Sequence, residues 1–549
     1  MPSDSTVHPT NQRLSGKMLA VRPMRSSDLW LSEPPEGVLV LSDVRLALDQ
    51  FHLNGVGSLI WRSCDGRHTV QDIVGKIATT CENSAPDDAS LGRDVLEFLN
   101  SLRGQGLVSW VEDEVDVLLV IPPAPSVYAK EAVKTAEYSS PPLGLCYLAA
   151  VLRENGFRVA IADLHQGQNQ SEDIVARCRL SNPKIVGITA STPSYPNALR
   201  VSRFVKAWNP NALTVLGGPH ATGAAESCSN EPSFDYVCVG EGEQSFLQLV
   251  GALLHGKEDP KKVAGFVRRT NGAIVHTGIP CRLSDLDTLP MPARDMLDLD
   301  TYYQKGAIIS SRGCPIGCNF CSCAAIVGNT YRVHSVGRVI DEIQHLMEQY
   351  GLRFFDFHDD TFNLHSDRVF DFCRQLRERA LDVKWGCFCR AAQMTSAMAK
   401  IMADAGCRVI QFGVEAGSDE SLRKLHKQTL VRQIEDAVRW AREAGIEQVV
   451  CGFIIGHAHD TETDVKATID LGIRLARLGA TRLTLSLLTP YPGTEVYSRR
   501  QELGIDLICD DWEQYTFSRV VMETRHLKRD RLRELYVEGI LRFLEVTTR

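Results

Sequence analysis

The amino-acid sequence predicts an α/β multidomain protein in four parts: an N-terminal winged-helix-like α+β unit, a doubly wound Rossmann-like domain, a partial (β/α)6 barrel and a short helical C-terminus. Three observations carry this. The chain has 549 residues, more than one hydrophobic core can serve, so two to four domains are expected. Strand-length apolar runs alternate with helical stretches in two separate series, one from Val115 to about His255 and one from Ala307 to Thr489. The residues ahead of the first series keep neither rhythm.

Residues 1–36 are polar and patternless and read as a flexible tail. Residues 37–112 form a small unit. VLVLS reads as a strand, Asp65-Gly66 as a turn, and Thr69 as the cap of a helix starting near Val70. DVLEFLNSLRGQGLVSW then reads as a helix with Leu96, Leu99 and Leu102 on one face, a Gly stop and a strand. Two helices and a short ribbon make the winged-helix-like unit.

Residues 113–258 carry five apolar runs, VLLVIP, RVAIAD, IVGITA, LTVLGG and YVCVG, separated by helical stretches. Near-continuous apolar strands alternating with helices mean a parallel sheet covered on both faces. A ligand is then expected beyond the carboxyl ends of its strands. Residues 259–300 read as a linker, with LPMPARDMLD its extended part. Residues 301–500 carry the second series: AIISS, RFFDFH, KWGCFC, RVIQFGVE, QVVCGFII and RLTLSLLT, with helices between. Six βα units suggest an open barrel whose chemistry sits where the strands end. Residues 501–549 are charged and helical.

Composition excludes several classes. Hydrophobic residues make up 44% and charged residues 23%, and the net charge is −8, so no basic face for nucleic acid is expected. No apolar run approaches the roughly 20 residues that span a bilayer. MPSDSTVHPTNQRLSGK has no apolar core after its charges, so it does not read as a secretory signal, and a cytoplasmic location is expected. A disulfide framework does not suit such a chain. Most of the 17 cysteines, such as Cys146, Cys178, Cys238, Cys373 and Cys451, read as buried small apolar residues.

SSRGCPIGCNFCSC is different. Cys314, Cys318 and Cys321 form C-x3-C-x2-C directly after the first barrel strand. Four-cysteine ligation is usual for clusters that only carry electrons, and three cysteines leave one iron open. Zinc is the rival metal, but structural zinc takes four ligands, usually as two separated pairs. Cys323 is adjacent, yet a fourth thiolate would close the iron.

C-P-I-G-C-N-F-C resembles the cluster motif of the radical S-adenosylmethionine (SAM) superfamily, including Phe320 before the last cysteine. The resemblance implies a [4Fe–4S] cluster whose open iron binds the amino and carboxylate groups of SAM. One electron then cleaves SAM to methionine and a 5′-deoxyadenosyl radical, which takes a hydrogen atom from an unactivated carbon. It also implies SAM contacts from Phe320, from Asp359 and Asp360 after the second strand, and from Arg390 after the third. GVEAGS places Glu415 near the ribose, GFIIG places Gly452 and Phe453 beside the adenine, and TPYPGT contributes Pro490 and Tyr491.

In the doubly wound domain, SPPLGLCYLAAVLRENGFRVAIAD, GITASTPSYPNA, LGGPHAT and VGEGEQS resemble the cobalamin-binding domain of cobalamin-dependent radical SAM enzymes. This implies a cobalamin site from Leu143, Gly144, Asp163, His165, Ser191, Thr192, Gly217, Gly218, Pro219, His220, Gly240, Glu241, Gly242 and Glu243. One departure matters. The D-x-H-x-x-G motif that ligates cobalt elsewhere is D-L-H-Q-G-Q here, with Gln168 in place of the Gly, so His165 is expected as a loop residue and not as a ligand. LNGVGSLIWRSCDGRHTVQDIVGKI resembles the PqqD-like fold, in which a leader peptide adds a strand to a sheet edge; VLVLS is the candidate edge.

Together these imply a cobalamin-dependent C-methyltransferase acting on a ribosomally made precursor peptide, with an electron donor such as flavodoxin or ferredoxin and neither nucleic acid nor membrane as partner. The alternatives are the same chemistry on a small natural-product intermediate, and a cobalamin-dependent radical cyclisation or rearrangement.

Overall fold

The computed structural model describes residues 22–25, 29–32, 39–43, 50–53, 55–65, 68–80, 88–104, 108–111, 114–125, 140–165, 171–256 and 258–547. The chain forms two compact units, residues 1–114 with 176–182, and residues 115–175 with 183–549.

In the first unit, β1 (Arg22–Arg25) pairs antiparallel with β5 (Val108–Val111), and β2 (Leu29–Ser32), β3 (Leu39–Asp43) and β4 (Gln50–Leu53) form a sheet in that order. Three helices follow β4: α1 (Gly55–Ser63), α2 (Val70–Thr80) and α3 (Asp88–Gly104). Trp61, Val70, Ile73 and Leu99 are fully buried between them. Thr69 caps α2 as expected: its hydroxyl accepts the Asp72 N–H at 3.1 Å, and Asp72 accepts the Thr69 N–H at 2.8 Å. Three expectations change. Gly55–Ser63 is a helix of its own, so the described residues of this unit hold three helices where two were expected. Residues 22–25 and 29–32, read as tail, are strands; Asn54 and Gly66 lie outside the described residues. VLVLS is the middle strand, paired on both sides, so it offers no edge to a peptide; the edges belong to β2 and β4.

The second unit begins with a seven-stranded sheet. β6 (Val117–Ile121), β7 (Val159–Asp163), β8 (Ile185–Thr189), β9 (Leu213–Gly217) and β10 (Tyr236–Cys238) are parallel, and β6 sits between β7 and β8. The order reverses at β6 and β8, and a crevice opens beyond their carboxyl ends. Val117, Leu119, Ile185 and Val215 on the strands pack against α4 (Leu143–Glu154), α5 (Tyr195–Trp208) lies beside β8 and β9, and α6 (Glu243–His255) packs on α4. The stretch read as linker holds two strands. β11 (Phe266–Thr270) pairs antiparallel with β10, and β12 (Ala273–His276) pairs with β11. Their hairpin does not stand out in the sequence because its strands are short and largely exposed beyond Phe266 and Val267, unlike the continuous apolar runs beside it.

The barrel strands are β13 (Ala307–Ile308), β16 (Phe354–Phe357), β17 (Lys384–Cys389), β18 (Cys407–Glu415), β19 (Gln448–Ile455) and β20 (Arg482–Leu487), all parallel and in chain order. The expected first strand, 307–311, is broken: Ser311–Arg312 forms β14, paired with β15 (Arg332–Val333) outside the barrel sheet. Helices α7 (Val336–Tyr350), α8 (Ser366–Glu378), α9 (Ser396–Asp404), α10 (Val431–Glu443) and α11 (Glu462–Leu478) cover the outer face, where Phe355, Trp385, Phe412 and Phe453 are buried. A short antiparallel pair, β21 (Ile505–Leu507) and β22 (Met522–Thr524), precedes α12 (Arg529–Thr547). α12 packs so closely on α11 and β20 that a Cβ on Gly472 would lie 2.4 Å from Phe543, and one on Gly539 2.5 Å from Leu485. No described helix is long and apolar enough to cross a membrane.

Part of the inner face of the barrel carries small and polar residues. A Cβ on Gly386 would lie 3.1 Å from the Asp356 carboxylate, and one on Gly452 3.4 Å from the Thr484 hydroxyl. These glycines leave a lumen that larger residues would fill. Burial raises the Asp356 carboxyl to about 6. Its folded form holds the proton more tightly than the unfolded chain does, so its unfavourable contribution is absent below the unfolded value of 3.8, grows as pH rises from there to about 6, and is complete above that. Asp356→Asn should therefore raise the stability at about pH 8 by on the order of 1–2 kcal/mol, seen as a higher thermal midpoint, and leave it nearly unchanged at about pH 4. Melting curves at the two pH values check this, and an equal effect at both would contradict it.

Candidate active site

The loop that carries the three cysteines leaves the barrel at Ser311–Arg312 and returns at Arg332–Val333. Gly313 has a left-handed φ of 90°, and a Cβ there would lie 2.3 Å from the Thr330 carbonyl, so only glycine closes this neck. Its N–H donates to Asp360 at 3.0 Å. The Cys314 Sγ lies 3.7 Å from the Thr361 hydroxyl, and the Cys318 Sγ 3.9 Å from the His426 carbonyl. Cys321 is exposed and feels the charge of both other thiols. Burial raises the Cys318 thiol; Lys427 and Arg390 pull it back, and Glu415 and Cys314 push it further. Among the described residues, no three His, Cys, Asp or Glu side chains converge on a single ion. Three thiols spread over one loop, with cations behind them, suit an iron–sulfur cluster with one open iron. Cys323 heads the next helical turn, where its thiol faces Asp360.

Arg390 follows β17. Its guanidinium donates to the Lys427 carbonyl at 2.7 Å, the Gln428 carbonyl and Thr429 hydroxyl at 3.1 Å each, and Gln393 at 3.1 Å. Burial lowers its pKa, against the pull of Cys318, Cys314 and Glu415. Glu415 ends β18 at a register shift with a left-handed φ of 70°, which a non-glycine residue adopts only under constraint. The constraint is an ion pair with Lys427 at 2.7 Å, both side chains 11% exposed. Lys427 escaped the sequence reading because nothing in LHKQT repeats or spaces as a motif.

Two expected SAM contacts are otherwise engaged. Asp359 is 2% exposed and accepts the Ser310 N–H and hydroxyl at 2.6 Å each and the Ser311 N–H at 3.0 Å; it braces the chain leading into the cysteines. Phe453 is buried on the outer face, 5.3 Å from Phe543 ring to ring, because strand alternation turns it away from the lumen that Gly452 faces. Phe320 lies 5.9 Å from the His457 ring. Pro490 is buried, and the Tyr491 hydroxyl donates to the Tyr515 carbonyl at 3.0 Å.

The doubly wound domain has a cavity of about 320 Å³ beyond its strand ends. Gly144, Gly217, Gly218, Gly240 and Gly242 line it beside Leu119, Leu145, Val215 and Phe246, and Ile309, Arg312, His358 and Asp360 of the barrel close its far wall. Gly218 has φ of 92°, and a Cβ there would lie 2.7 Å from the Thr189 hydroxyl. An apolar slot walled by glycine backbone suits a flat ring system. Glu241 and Glu243 reach this wall but are buried in ion pairs with Arg312 and Arg332, a commitment the GEGE motif did not reveal. His220 is buried away from the cavity. Its Nδ1 lies 3.2 Å from the Thr192 hydroxyl, and its ring packs on Tyr195 and Trp512. Pro219 starts the short turn that carries it, Ser191 donates its N–H to the Ser194 hydroxyl at 2.9 Å, and Leu143 packs with Tyr147. The Asp163 carboxylate accepts the His165 backbone N–H at 2.8 Å and the Tyr302 hydroxyl, so its acceptors serve the backbone and a tyrosine. Burial lowers His165 to about 4.

Comparison with known proteins agrees with this layout. Residues 44–108 match the coenzyme PQQ synthesis protein D (PqqD) family, 130–250 the B12 binding domain and 308–472 the Radical SAM superfamily. An uncharacterised methyltransferase of Pyrococcus horikoshii is 34% identical over 432 residues, covering 78% of this chain and 92% of that protein. The anaerobic magnesium-protoporphyrin IX monomethyl ester cyclase of Rubrivivax gelatinosus is 29% identical, over 73% of each chain. Among solved structures, the radical SAM methyltransferase TsrM of Kitasatospora setae, with cobalamin and a [4Fe–4S] cluster, superposes with a TM-score of 0.61 at 19% identity, over 79% of this chain and 89% of that one. The cobalamin-dependent radical enzyme OxsB, with aqua-cobalamin and SAM, superposes with a TM-score of 0.57 at 18% identity, over 86% of this chain and 65% of that one. At such identities the likeness is one of fold. The cofactors are a [4Fe–4S] cluster, SAM and cobalamin. The chain belongs to the cobalamin-dependent radical SAM enzymes, with a PqqD-type domain ahead of the cobalamin domain and the barrel.

Proposed function

We propose that this enzyme is a C-methyltransferase acting on an unactivated carbon of a ribosomally synthesised precursor peptide. The observation that carries methyl transfer is the shared wall. The glycine-lined cavity and the mouth of the barrel meet at Arg312 and Asp360, so two cofactor sites face one reaction space. The match of residues 44–108 to PqqD supports a peptide substrate. In this reading residues 37–112, joined by β2 ahead of them, recognise the peptide through the edge of β4 or β2, residues 113–258 hold cobalamin with their sheet extended by the 266–276 hairpin, and residues 301–500 hold the cluster and SAM.

Cys314, Cys318 and Cys321 would hold the cluster, which supplies the electron that cleaves SAM, while cobalamin carries the methyl group. Arg390, pinned by three oxygens of the 427–429 turn, would present its remaining N–H groups to the SAM carboxylate. The Glu415–Lys427 pair stands over Gly413, at the height where the ribose would lie. Gly452 would leave room for the adenine, and Gly217 and Gly218 for the cobalamin ring. The enzyme would work in the cytoplasm with a flavodoxin or ferredoxin as electron donor. A second reading, radical cyclisation without methyl transfer, is favoured by the relative from Rubrivivax gelatinosus.

Anaerobic reconstitution with SAM, reductant and a precursor peptide encoded beside the gene should give a methyl mass gain together with S-adenosylhomocysteine and 5′-deoxyadenosine. Deoxyadenosine and a changed peptide mass without S-adenosylhomocysteine would favour cyclisation. Removing the leader from the peptide should lower the rate at least tenfold, since β-augmentation provides the recognition; equal rates would end the peptide-docking role of the first unit. Ala at Cys314, Cys318 or Cys321 should each abolish the iron–sulfur absorbance and deoxyadenosine formation. Cys323→Ala should keep both, and its failure to do so would make Cys323 a ligand.

A further inference from the structure

We propose that Glu241 is a positioning residue that couples the cobalamin site to the cysteine loop, because this one carboxylate of the cobalamin domain clamps both ends of the loop's neck. Arg312 and Arg332 are direct partners across the β14–β15 pair, and residues 313–331 between them hold Cys314, Cys318 and Cys321. Glu241 takes Arg332 in a two-pronged grip, at 2.7 and 2.8 Å, and accepts Arg312 at 3.3 Å. Glu243 takes the other arm of Arg312 at 2.8 Å. All four side chains are 4–8% exposed. Arg332 also donates to the Leu283 carbonyl at 2.7 Å and the Val327 carbonyl at 2.9 Å, and Arg312 lies 5.3 Å over the Tyr147 ring.

The other end of the connection is the cavity. Gly240 and Gly242, on either side of Glu241, line it, and the Gly240 N–H donates to Thr222 at 2.9 Å, which ties the 240–243 turn to the turn after β9. A cofactor pressed against this wall therefore bears on the residue that grips the neck. Stability alone does not account for the quartet, since buried ion pairs can often be replaced by apolar side chains without loss. Two charged pairs in fixed register do specify one arrangement of the neck. A group that favours that arrangement at one site favours binding at the other, and the effect is reciprocal.

The inference rests on the assignment of the cluster to Cys314, Cys318 and Cys321. It is tested by the affinity of the full-length protein for hydroxocobalamin, measured after chelation of iron and again after reconstitution. The wild type should bind on the order of fivefold or more tightly when the cluster is present. Glu241→Gln should bring the ratio close to one, and Glu243→Gln, which touches Arg312 alone, should keep most of it. If Glu241→Gln fails to fold, Arg332→Lys keeps the charge without the two-pronged grip and should lose the ratio in the same way. A wild-type ratio of one, or a ratio unchanged in both the Glu241 and Arg332 variants, overturns the proposal. A wild type that gains no iron–sulfur absorbance on reconstitution instead overturns the cysteine assignment, and the coupling falls with it.

Discussion

The placement of Ser310–Gly313 governs the rest of the structure. This short segment turns out of the barrel and presents the cysteines, and carboxylates, buried except for Asp360, hold it from two sides. Asp359 and Asp360, at the end of β16, take four of its donors, and Glu241 and Glu243 take its arginine. Buried carboxylates are tolerated only when their lone pairs are filled. The desolvation penalty that would punish a misplaced segment therefore enforces the right placement. A backbone without these partners would be free to slip, and with it the three thiols.

Around that segment the two sheets divide the labour. The barrel buries Phe355, Trp385, Phe412 and Phe453 outward, under the helices, and sets Gly386, Gly452, Asp356 and Thr484 on its inner face. The cobalamin domain builds a glycine-walled slot at the reversal of strand order. Both openings result from leaving out side chains, in mid-strand in the barrel and at strand ends in the cobalamin domain.

The sequence made the framework legible where periodicity is strong. Parallel strands buried on both faces read as continuous apolar runs, so all eleven of them stood out, the first barrel strand with too long a span, as did the three cysteines and the cap at Thr69. Legibility failed where the decisive partner is distant in the chain. Asp359 looked like a ligand contact because its bonds to Ser310 and Ser311 span about fifty residues. Glu241 and Glu243 do reach the cavity wall, but their ion pairs with arginines some seventy to ninety residues on are invisible to a local motif. The outward side chain of Phe453 follows from strand alternation, which the motif alone does not carry. VLVLS looked like an edge because strand order is a tertiary property.

Glu415 shows how such a site constrains the variation open to the chain. Its left-handed backbone costs about 1 kcal/mol or more, and glycine or asparagine would relieve it at once. Neither could reach Lys427 to form its ion pair. Selection for robustness and selection for chemistry thus pull this position in opposite directions. A lineage that drifted toward a more relaxed backbone here would end with a sturdier fold and an unaccompanied lysine above the lumen.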